Sequence, residues 1–580
     1  MAQDLPTELW LNILSCLPRG SVRKLLGVNR TLFELAMDDI YEEVRFIADD
    51  KEIRKTFDQL RNPTIARRVR QLYIQPSFFP LPERRPPDSR FHLVNYLEDQ
   101  INSWLPQSHA LPGTTGVGST WSDPCRSLLS QATEAFSACS ELRELTIVLR
   151  DHPIPPSFRT FLSAIWKTHA TRLRRLDLDL TPLVLPFVIK LLTPPLSSDV
   201  EARTNVEQFN FILALPTYDF SAHRFPSYPP YHLPITRLLN RHKSTLRSLS
   251  ITSPSECEST DFTSFFIALT QTNGQLQVGP RFPLLSHFHL HFPLHTSKTL
   301  MDPTHLNIFI YQHRLTLKSI SLSPRTPFTS RRGTVSGLRS SWNYISFNTF
   351  SYANWVVNSF LKIKFPALEK LDLCYDPGMV PEDTFDGSVK ALNKLWLSRL
   401  GAVNLREVVL TGLTLELPRK LAVLRDLAGG GPGDDSGAPT TATVEEGRGG
   451  VGTTLKRLTL GLNILQPEIL DLIVKRFTAL ERLDLEYRGV AGTTSSREPS
   501  MRIRHRQEHT IGHFTTANFI SDMKERTYLN STLKVLRCAL LIKESCGQYH
   551  PHESVAEAVC QAFTEMPKVD SYDANVCCLR

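Results

Sequence analysis

One short pattern recurs along the chain and limits the folds open to it: an apolar residue, two variable residues, an apolar residue, one variable residue and a third apolar residue. Its twelve copies are Val69/Leu72/Ile74, Leu142/Leu145/Ile147, Leu173/Leu176/Leu178, Val206/Phe209/Phe211, Leu246/Leu249/Ile251, Leu285/Phe288/Leu290, Leu317/Ile320/Leu322, Leu368/Leu371/Leu373, Leu405/Val408/Leu410, Leu455/Leu458/Leu460, Leu480/Leu483/Leu485 and Leu533/Leu536/Cys538. The alternation within each copy is typical of a half-buried strand. Helical periodicity lies between copies, for example in residues 158–166 and 467–477.

A strand, a crossover helix and a parallel strand form a right-handed unit that stacks on copies of itself into a solenoid. The sequence therefore predicts an α/β fold with parallel strands over residues 69–580. An ordinary α/β domain that contains several such strands is the alternative.

The copy that begins at Leu455 extends to LxxLxLxxNxL, with the asparagine at Asn463. In this respect the region resembles a leucine-rich-repeat array. Most copies lack the asparagine, and most spacings exceed the usual repeat length of about 20–29 residues. The resemblance implies an irregular leucine-rich-repeat-like solenoid, with parallel strands on the concave face and helices outside.

Residues 1–46 predict three short helices. Pro6 suits the first turn of the first helix, because its missing N–H costs nothing there. Ser21 is the expected N-cap of the second helix, and Thr31 with Glu34 forms a capping box for the third. Three helices in about 45 residues bury too little surface to be stable alone, so we expect this module to dock on another surface.

The N-terminal residues Leu5, Pro6, Glu8, Ile13, Leu14, Leu17, Pro18, Val22, Val28 and Arg30 match the order and spacing of an F-box, which this segment resembles. Asn29 and Tyr41 depart mildly from the family, where Cys and Trp are common. The resemblance implies a three-helix module that docks on the Skp adaptor of a cullin–RING ubiquitin ligase. The adaptor-binding residues that it implies are Leu5, Pro6, Glu8, Leu9, Ile13, Leu14, Leu17, Pro18, Val22 and Val28.

These features predict an F-box at residues 1–46, a linker helix at 47–68 and the solenoid at 69–580. Disordered insertions are expected near 106–122, 428–454 and 489–509, because Gly, Ser, Thr and other polar residues dominate there.

The variable residues of each strand face away from the core, so we expect the contacts with a protein substrate among them. The predicted substrate-binding residues are Asp177, His289, Asp372 and Asp484. His287, His289 and His291 share one strand face, but no Cys, Asp or Glu lies nearby in sequence to complete a zinc site. A polar partner contact and a solvated strand face are the open alternatives for these histidines.

Several function classes are not expected. A net charge of +8 over 580 residues is too dilute to indicate nucleic-acid binding, and no apolar run reaches the roughly 18 residues of a membrane span. No catalytic motif or RING-type Cys/His ladder is present, so we expect a non-catalytic adaptor without a cofactor or metal. Residues 1–11 lack a signal peptide and the ten cysteines form no CxxC pair, which favours the cytoplasm or nucleus. Cys577 is placed like a prenylation site, but Arg580 is outside the usual choices.

The expected function is substrate recognition in an SCF-type ubiquitin ligase. The alternative is a non-ubiquitin repeat scaffold, or a transcription-associated interaction protein, whose N-terminal helices only cap the array. A cap buries the apolar face of the first helix, whereas a receptor leaves that face exposed for the adaptor.

Overall fold

The computed structural model describes residues 6–16, 30–79, 125–149, 154–181, 184–193, 205–213, 232–253, 262–272, 274–276, 279–293, 302–325, 359–374, 400, 402–413, 417–428, 454–491, 508–528, 532–540 and 552–563. The expectations for Leu5, Leu17, Pro18, Val22, Val28, Ser21 and Cys577 lie outside these residues, as do the insertion near 106–122 and most of those near 428–454 and 489–509. The chain divides into two compact units, Met1–Val206 with Pro216–Phe225, and Glu207–Leu215 with Pro226–Arg580.

The first unit alternates helices and strands. Its elements are α1 (Thr7–Ser15), α2 (Arg30–Tyr41), β1 (Glu43–Phe46), α3 (Lys51–Leu60), α4 (Pro63–Ala66), β2 (Gln71–Ile74), α5 (Arg126–Ser137), β3 (Glu144–Leu149), α6 (Pro156–His169), β4 (Arg175–Leu180) and α7 (Leu185–Leu192). The four strands pair in parallel in chain order. Val44, Leu72, Leu145 and Leu176 stand opposite one another in one buried row, because period-two alternation places apolar residues of neighbouring strands on the same face.

Three details of the N-terminal region differ from the sequence-based expectation. Helix α2 begins at Arg30, so Thr31 lies inside the helix rather than at its N-cap, and the Glu34 carboxylate binds Arg68 instead of completing a capping box. The segment 47–68 holds two helices rather than one, because Asn62 caps a new helix that starts at Pro63. Strand β1, at the end of the segment expected to be wholly helical, was not predicted.

The second unit continues the alternation. Its elements are β5 (Gln208–Leu213), α8 (His232–Arg241), β6 (Ser248–Thr252), α9 (Phe262–Thr270), β7 (Gln271–Thr272), β8 (Gln275–Leu276), β9 (His287–Pro293), α10 (Thr304–His313), β10 (Ser319–Arg325), a 3-10 turn (Phe360–Lys362), β11 (Lys370–Cys374), β12 (Glu407–Leu413), α11 (Leu417–Leu427), β13 (Arg457–Leu465), α12 (Pro467–Arg476), β14 (Arg482–Val490), α13 (Glu508–Lys524), β15 (Val535–Leu540) and α14 (His552–Ala562). Nine of these strands form a parallel sheet in the order β5-β6-β9-β10-β11-β12-β13-β14-β15, and β7 pairs with β8 as a short antiparallel hairpin.

All twelve predicted copies fall on strands, β2 to β6 and β9 to β15. The α/β class and the parallel strands are therefore confirmed, and α6 and α12 confirm the two helices that the sequence placed between copies. In the second unit the fourth residue of every copy stands opposite the same residue of the next copy, from Phe209 to Leu536. The pairing shifts once, after Leu410. Asn463 lies inside β13 rather than in a turn after it.

A buried histidine marks three of the turns from helix to strand, a feature that sequence reasoning missed. His169, His242 and His313 each stand four residues before the first apolar residue of the next copy and are at most 1% exposed. Each histidine carbonyl accepts the backbone N–H groups of two residues at the start of that copy. These bonds satisfy carbonyls that a helix end leaves unpaired. The signal in the sequence is a histidine four residues before the repeat leucine.

Candidate functional site

Helix α1 presents an apolar surface. Leu9 is 46% exposed and Ile13 is 42% exposed, and residues four apart lie on one face of a helix. Pro6 and Glu8, which the F-box resemblance assigns to adaptor binding, are also exposed. The side chain of Leu14 lies outside the described part of the chain.

Helix α2 is held to the first unit differently. Leu32 and Ala36 are buried, and the Arg68 guanidinium binds the carboxylates of Glu34 and Asp38. The hydrogen bond from Arg68 holds the pKa of Glu34 below its usual value. Helix α2 is thus fixed through buried side chains and ion pairs, although its Phe33 is 42% exposed, as Ile13 of α1 is.

The face of the second-unit sheet opposite the leucine core carries a row of mostly polar side chains, one from the middle of each strand, which range from buried (Ser321, 6% exposed) to exposed (Arg537). We call it the central row, and it consists of Asn210, Ser250, His289, Ser321, Asp372, Val409, Thr459, Asp484 and Arg537. Neighbouring strands lie about 4.8 Å apart. Three of the four predicted substrate-binding residues, His289, Asp372 and Asp484, thus share one row. The fourth, Asp177, belongs to the first unit, where Thr146 and Tyr73 are its row neighbours.

Asp372 has an unusual environment in this row. The Ser321 hydroxyl donates a hydrogen bond of 2.8 Å to Asp372 Oδ2, whereas Oδ1 is buried and accepts no hydrogen bond from the described residues. The Lys370 ammonium, two residues earlier, binds Glu407 on the next strand at 2.7 Å. Burial raises the pKa of Asp372 above its usual value, and the Ser321 hydrogen bond opposes that shift. The carboxylate is thus poorly solvated and makes no direct ion pair with the described residues.

The other two aspartates are each bound by an arginine two residues earlier on the same strand. Arg175 Nη2 lies 2.9 Å from Asp177 Oδ2, and Arg482 Nε lies 2.8 Å from Asp484 Oδ2. Thr459 adds a long contact of 3.5 Å to Asp484. Sequence reasoning missed these arginines, although the same cation-Leu-Asp-Leu motif begins at residues 175, 370 and 482. Asp372 is the exception because its preceding cation is turned to another strand.

The histidines of β9 lie two strands from Asp372, on the far side of β10. The rings of His289 and His291 are 3.8 Å apart between centroids, and His287 Nδ1 is 2.8 Å from the Ser286 hydroxyl. Burial and the Lys318 charge lower the pKa of His287 below its usual value. Within the described residues, no group of three His, Cys, Asp or Glu side chains has the geometry to hold a metal ion.

The order of Ser321, His289 and Asp372 determines what these groups can do together. In a nucleophile–base–orienter arrangement the histidine stands between the hydroxyl and the carboxylate. Here Ser321 stands between the other two in the row and donates directly to Asp372. This trio is therefore arranged as a polar surface rather than as a proton relay.

Neither a scan against protein-family models nor a search of curated proteins finds a match to this chain. In the part of the chain that the structure describes, no helix is long and apolar enough to cross a membrane. Two features of the geometry define the candidate site: an exposed apolar face on α1 and a polar row on a parallel sheet.

Proposed function

We propose that this chain is the substrate-recognition subunit of an SCF-type ubiquitin ligase. In this proposal the N-terminal helices form an F-box that docks on the Skp adaptor, and through it on the cullin. The repeat region is an irregular leucine-rich-repeat-like solenoid that binds a protein substrate in the cytoplasm or nucleus. The chain itself performs no chemistry and brings the substrate to the catalytic subunits of the ligase.

The observation that carries the proposal is the exposure of Leu9 and Ile13 on one face of α1. An exposed apolar helix face is typical of a surface that packs into the groove of a partner. Each side chain is already about half buried, so burying the rest of it against a partner contributes about 1 kcal/mol.

The alternative function, a scaffold with a helical cap, is favoured by one observation on α2. Its buried Leu32 and Ala36, its ion pairs with Arg68 and the strand β1 that follows it tie α2 to the sheet. Capping explains α2 but leaves the exposed face of α1 without a role. We therefore favour adaptor binding for α1 and structural capping for α2.

Adaptor binding is tested by co-purification of the full chain with a Skp adaptor. The variant Leu9→Ser/Ile13→Ser removes the apolar face, and both side chains are exposed, so the fold should be preserved. The matched control is Leu315→Ser/Val403→Ser, which changes two apolar side chains that are 64% and 62% exposed in the second unit. We expect the control to retain the adaptor and the α1 variant to lose it. Equal recovery with both variants would refute adaptor binding through α1.

For substrate binding, the central row is the surface that we favour, with Asp372 at its centre. Its carboxylate is half-buried and makes no ion pair in the described part of the chain, so a lysine or arginine of a substrate placed there would gain a charge-assisted hydrogen bond. Asp177 and Asp484 already have arginine partners, so they are expected to contribute less. His289, two strands from Asp372, is the second residue that we expect to contact the substrate.

Substrate capture is measured by affinity purification of the full chain during proteasome inhibition, followed by mass spectrometry. Asp372→Asn removes the charge and keeps the shape, and Asp58→Asn is the matched control because that aspartate is 72% exposed on α3. We expect proteins that are retained by the control to be depleted with Asp372→Asn, while adaptor recovery is unchanged. An identical set of captured proteins for both variants would place the substrate site elsewhere.

A further inference from the structure

The first unit has a row of side chains of its own, formed by the residue immediately before each strand. We call it the edge row, and its members are Glu42, Arg70, Arg143 and Arg174. The backbone N–H of Arg143 donates to the Arg70 carbonyl at 2.8 Å, and that of Arg174 donates to the Arg143 carbonyl at 2.8 Å. The three arginines are therefore direct neighbours on successive strands, about 4.8 Å apart. All three are exposed.

In the second unit, the residues immediately before the strands do not include three neighbouring arginines. Neighbouring side chains there pair with opposite charges: Glu207 with Arg247 at 3.6 Å, Lys318 with Glu369 at 3.1 Å, and Glu481 with Lys456 at 2.7 Å and Lys534 at 3.1 Å. Side chains at this position thus reach their neighbours across the strands. Arg406 and Lys456 are like-charged neighbours, but each also has an acidic neighbour, Glu369 and Glu481 respectively.

Arg143 has no such neighbour in the edge row, because arginines stand on both sides of it. Its ion pair is with Glu141 of its own turn, at 3.5 Å, and both side chains are more than half exposed. Arg70 meets Glu42 at 3.7 Å, and Arg174 takes part in none of the ion pairs of the described residues. Like charges directly opposite one another are destabilising, so the fold tolerates an electrostatic cost at this place.

We propose that Arg70, Arg143 and Arg174 bind an anionic segment of a partner polypeptide, either a run of Asp and Glu or a phosphorylated Ser or Thr among them. The backbones that carry the three arginines span about 10 Å across three strands, which matches about three residues of an extended peptide. Arginine is suited to this role because its planar fork donates two hydrogen bonds to a carboxylate or phosphate. The site does not depend on the ubiquitin-ligase proposal.

The surroundings favour a short anionic peptide over a nucleic acid. Glu42 closes one end of the row, Glu141 lies beside Arg143, and Glu144 follows Arg143 in the chain and binds Arg175. A nucleic acid carries charge continuously in both directions and would meet these carboxylates, whereas a short acidic run ends before them. Arg175 adds no free cation, because it is bound to Asp177 and Glu144.

The test is fluorescence anisotropy of the full chain with four labelled probes. These are an acidic peptide, the same peptide with phosphoserines, an uncharged peptide of equal length and a single-stranded oligonucleotide. Arg143→Gln should weaken binding of the anionic peptides about tenfold, since charge-assisted hydrogen bonds are lost, and the triple glutamine variant should abolish it. Lys456→Gln is the matched control, because it changes a cation at the same position of the second unit that is paired with Glu481.

A variant that binds more tightly provides a second test, because a misfolded protein would lose binding rather than gain it. Glu141→Gln removes the carboxylate that competes for Arg143, so it should tighten anionic peptides several-fold. Tighter binding of the phosphorylated peptide than of the acidic one identifies phosphate as the source of charge, and equal binding identifies carboxylate; both support the proposal. It is overturned if the triple variant binds the anionic peptides like the wild type, or if the oligonucleotide binds more tightly than they do through the same arginines.

Discussion

His313, the last residue of α10, makes two hydrogen bonds that fix its protonation state. Its Nδ1 donates to the Phe309 carbonyl at 2.7 Å, and its Nε2 accepts the Phe282 backbone N–H at 3.1 Å. A protonated ring has no acceptor nitrogen and would turn an N–H toward the Phe282 N–H. The side chain is fully buried, and this burial lowers its pKa to about 4.

This shift makes stability depend on pH with a definite sign. The unfolded chain binds a proton at His313 near the ordinary pKa of 6.5, whereas the folded chain does not do so until about pH 4. The contribution of His313 is therefore complete above pH 6.5 and is lost as the pH falls toward 4. At 1.36 kcal/mol per pKa unit, the loss between about pH 7.5 and pH 5 is about 2 kcal/mol.

The assay is urea unfolding of the wild type and His313→Leu at both pH values. His313→Leu leaves the buried Phe282 N–H without its acceptor, so at neutral pH we expect it to be less stable by about 1–3 kcal/mol. That gap should narrow by about 2 kcal/mol at pH 5, because only the wild type carries the titrating ring. Ile310→Ala, a buried change in the same helix without a titrating group, is the control, and its gap should not depend on pH. A constant gap for His313→Leu would refute the argument.

Three further predictions concern stability. Leu249→Ala should lower the free energy of unfolding by about 2–5 kcal/mol, whereas Ser250→Ala on the open face of the same strand should change it by less than about 0.5 kcal/mol; similar losses in urea unfolding would contradict the strand alternation. Asp50→Ala removes the N-cap of α3 and should cost about 1 kcal/mol in thermal unfolding, and an unchanged midpoint would show that the cap does not stabilise the helix. Arg482→Gln should cost about 1–2 kcal/mol, and in a double-mutant cycle with Asp484→Asn the two losses should not add; full additivity would mean that the two side chains are not coupled.

The strands of this fold were predictable because one local pattern determines both their position and their buried face. In these strands buried leucines alternate with polar residues. A strand that paired one residue out of register would turn its polar residues toward the core, so the pattern determines the register. Strand β1 escaped prediction because only Val44 and Phe46 carry the pattern there, directly after a helix. Its position depends on pairing with β2, which the local sequence does not show.

The candidate site was predictable as a face but not as a set of contacts. The pattern predicts that Asp372 and Asp484 point away from the core, and both do lie in the central row. It does not distinguish Asp484, bound by Arg482, from Asp372, because the difference depends on neighbouring strands. The partner of Asp372 is Ser321, 51 residues away, and Lys370 binds Glu407, 37 residues away. The partner of each charged side chain therefore depends on residues that are distant in sequence and adjacent only in the folded sheet.

In the second-unit sheet the fourth residues of successive copies stand opposite one another, which has a consequence for how such a chain can diverge. The copies that begin at Leu455, Leu480 and Leu533 are 25 and 53 residues apart, yet β13, β14 and β15 pair in the same register. Lengthening a connection costs little, since loop entropy grows only logarithmically with length. Insertions and deletions between copies therefore leave the order of side chains along the face intact. Point substitutions on the face, in turn, leave the connections untouched. Insertions and deletions thus change the connections, and point substitutions change the face. Loop length and binding surface can therefore vary independently of each other.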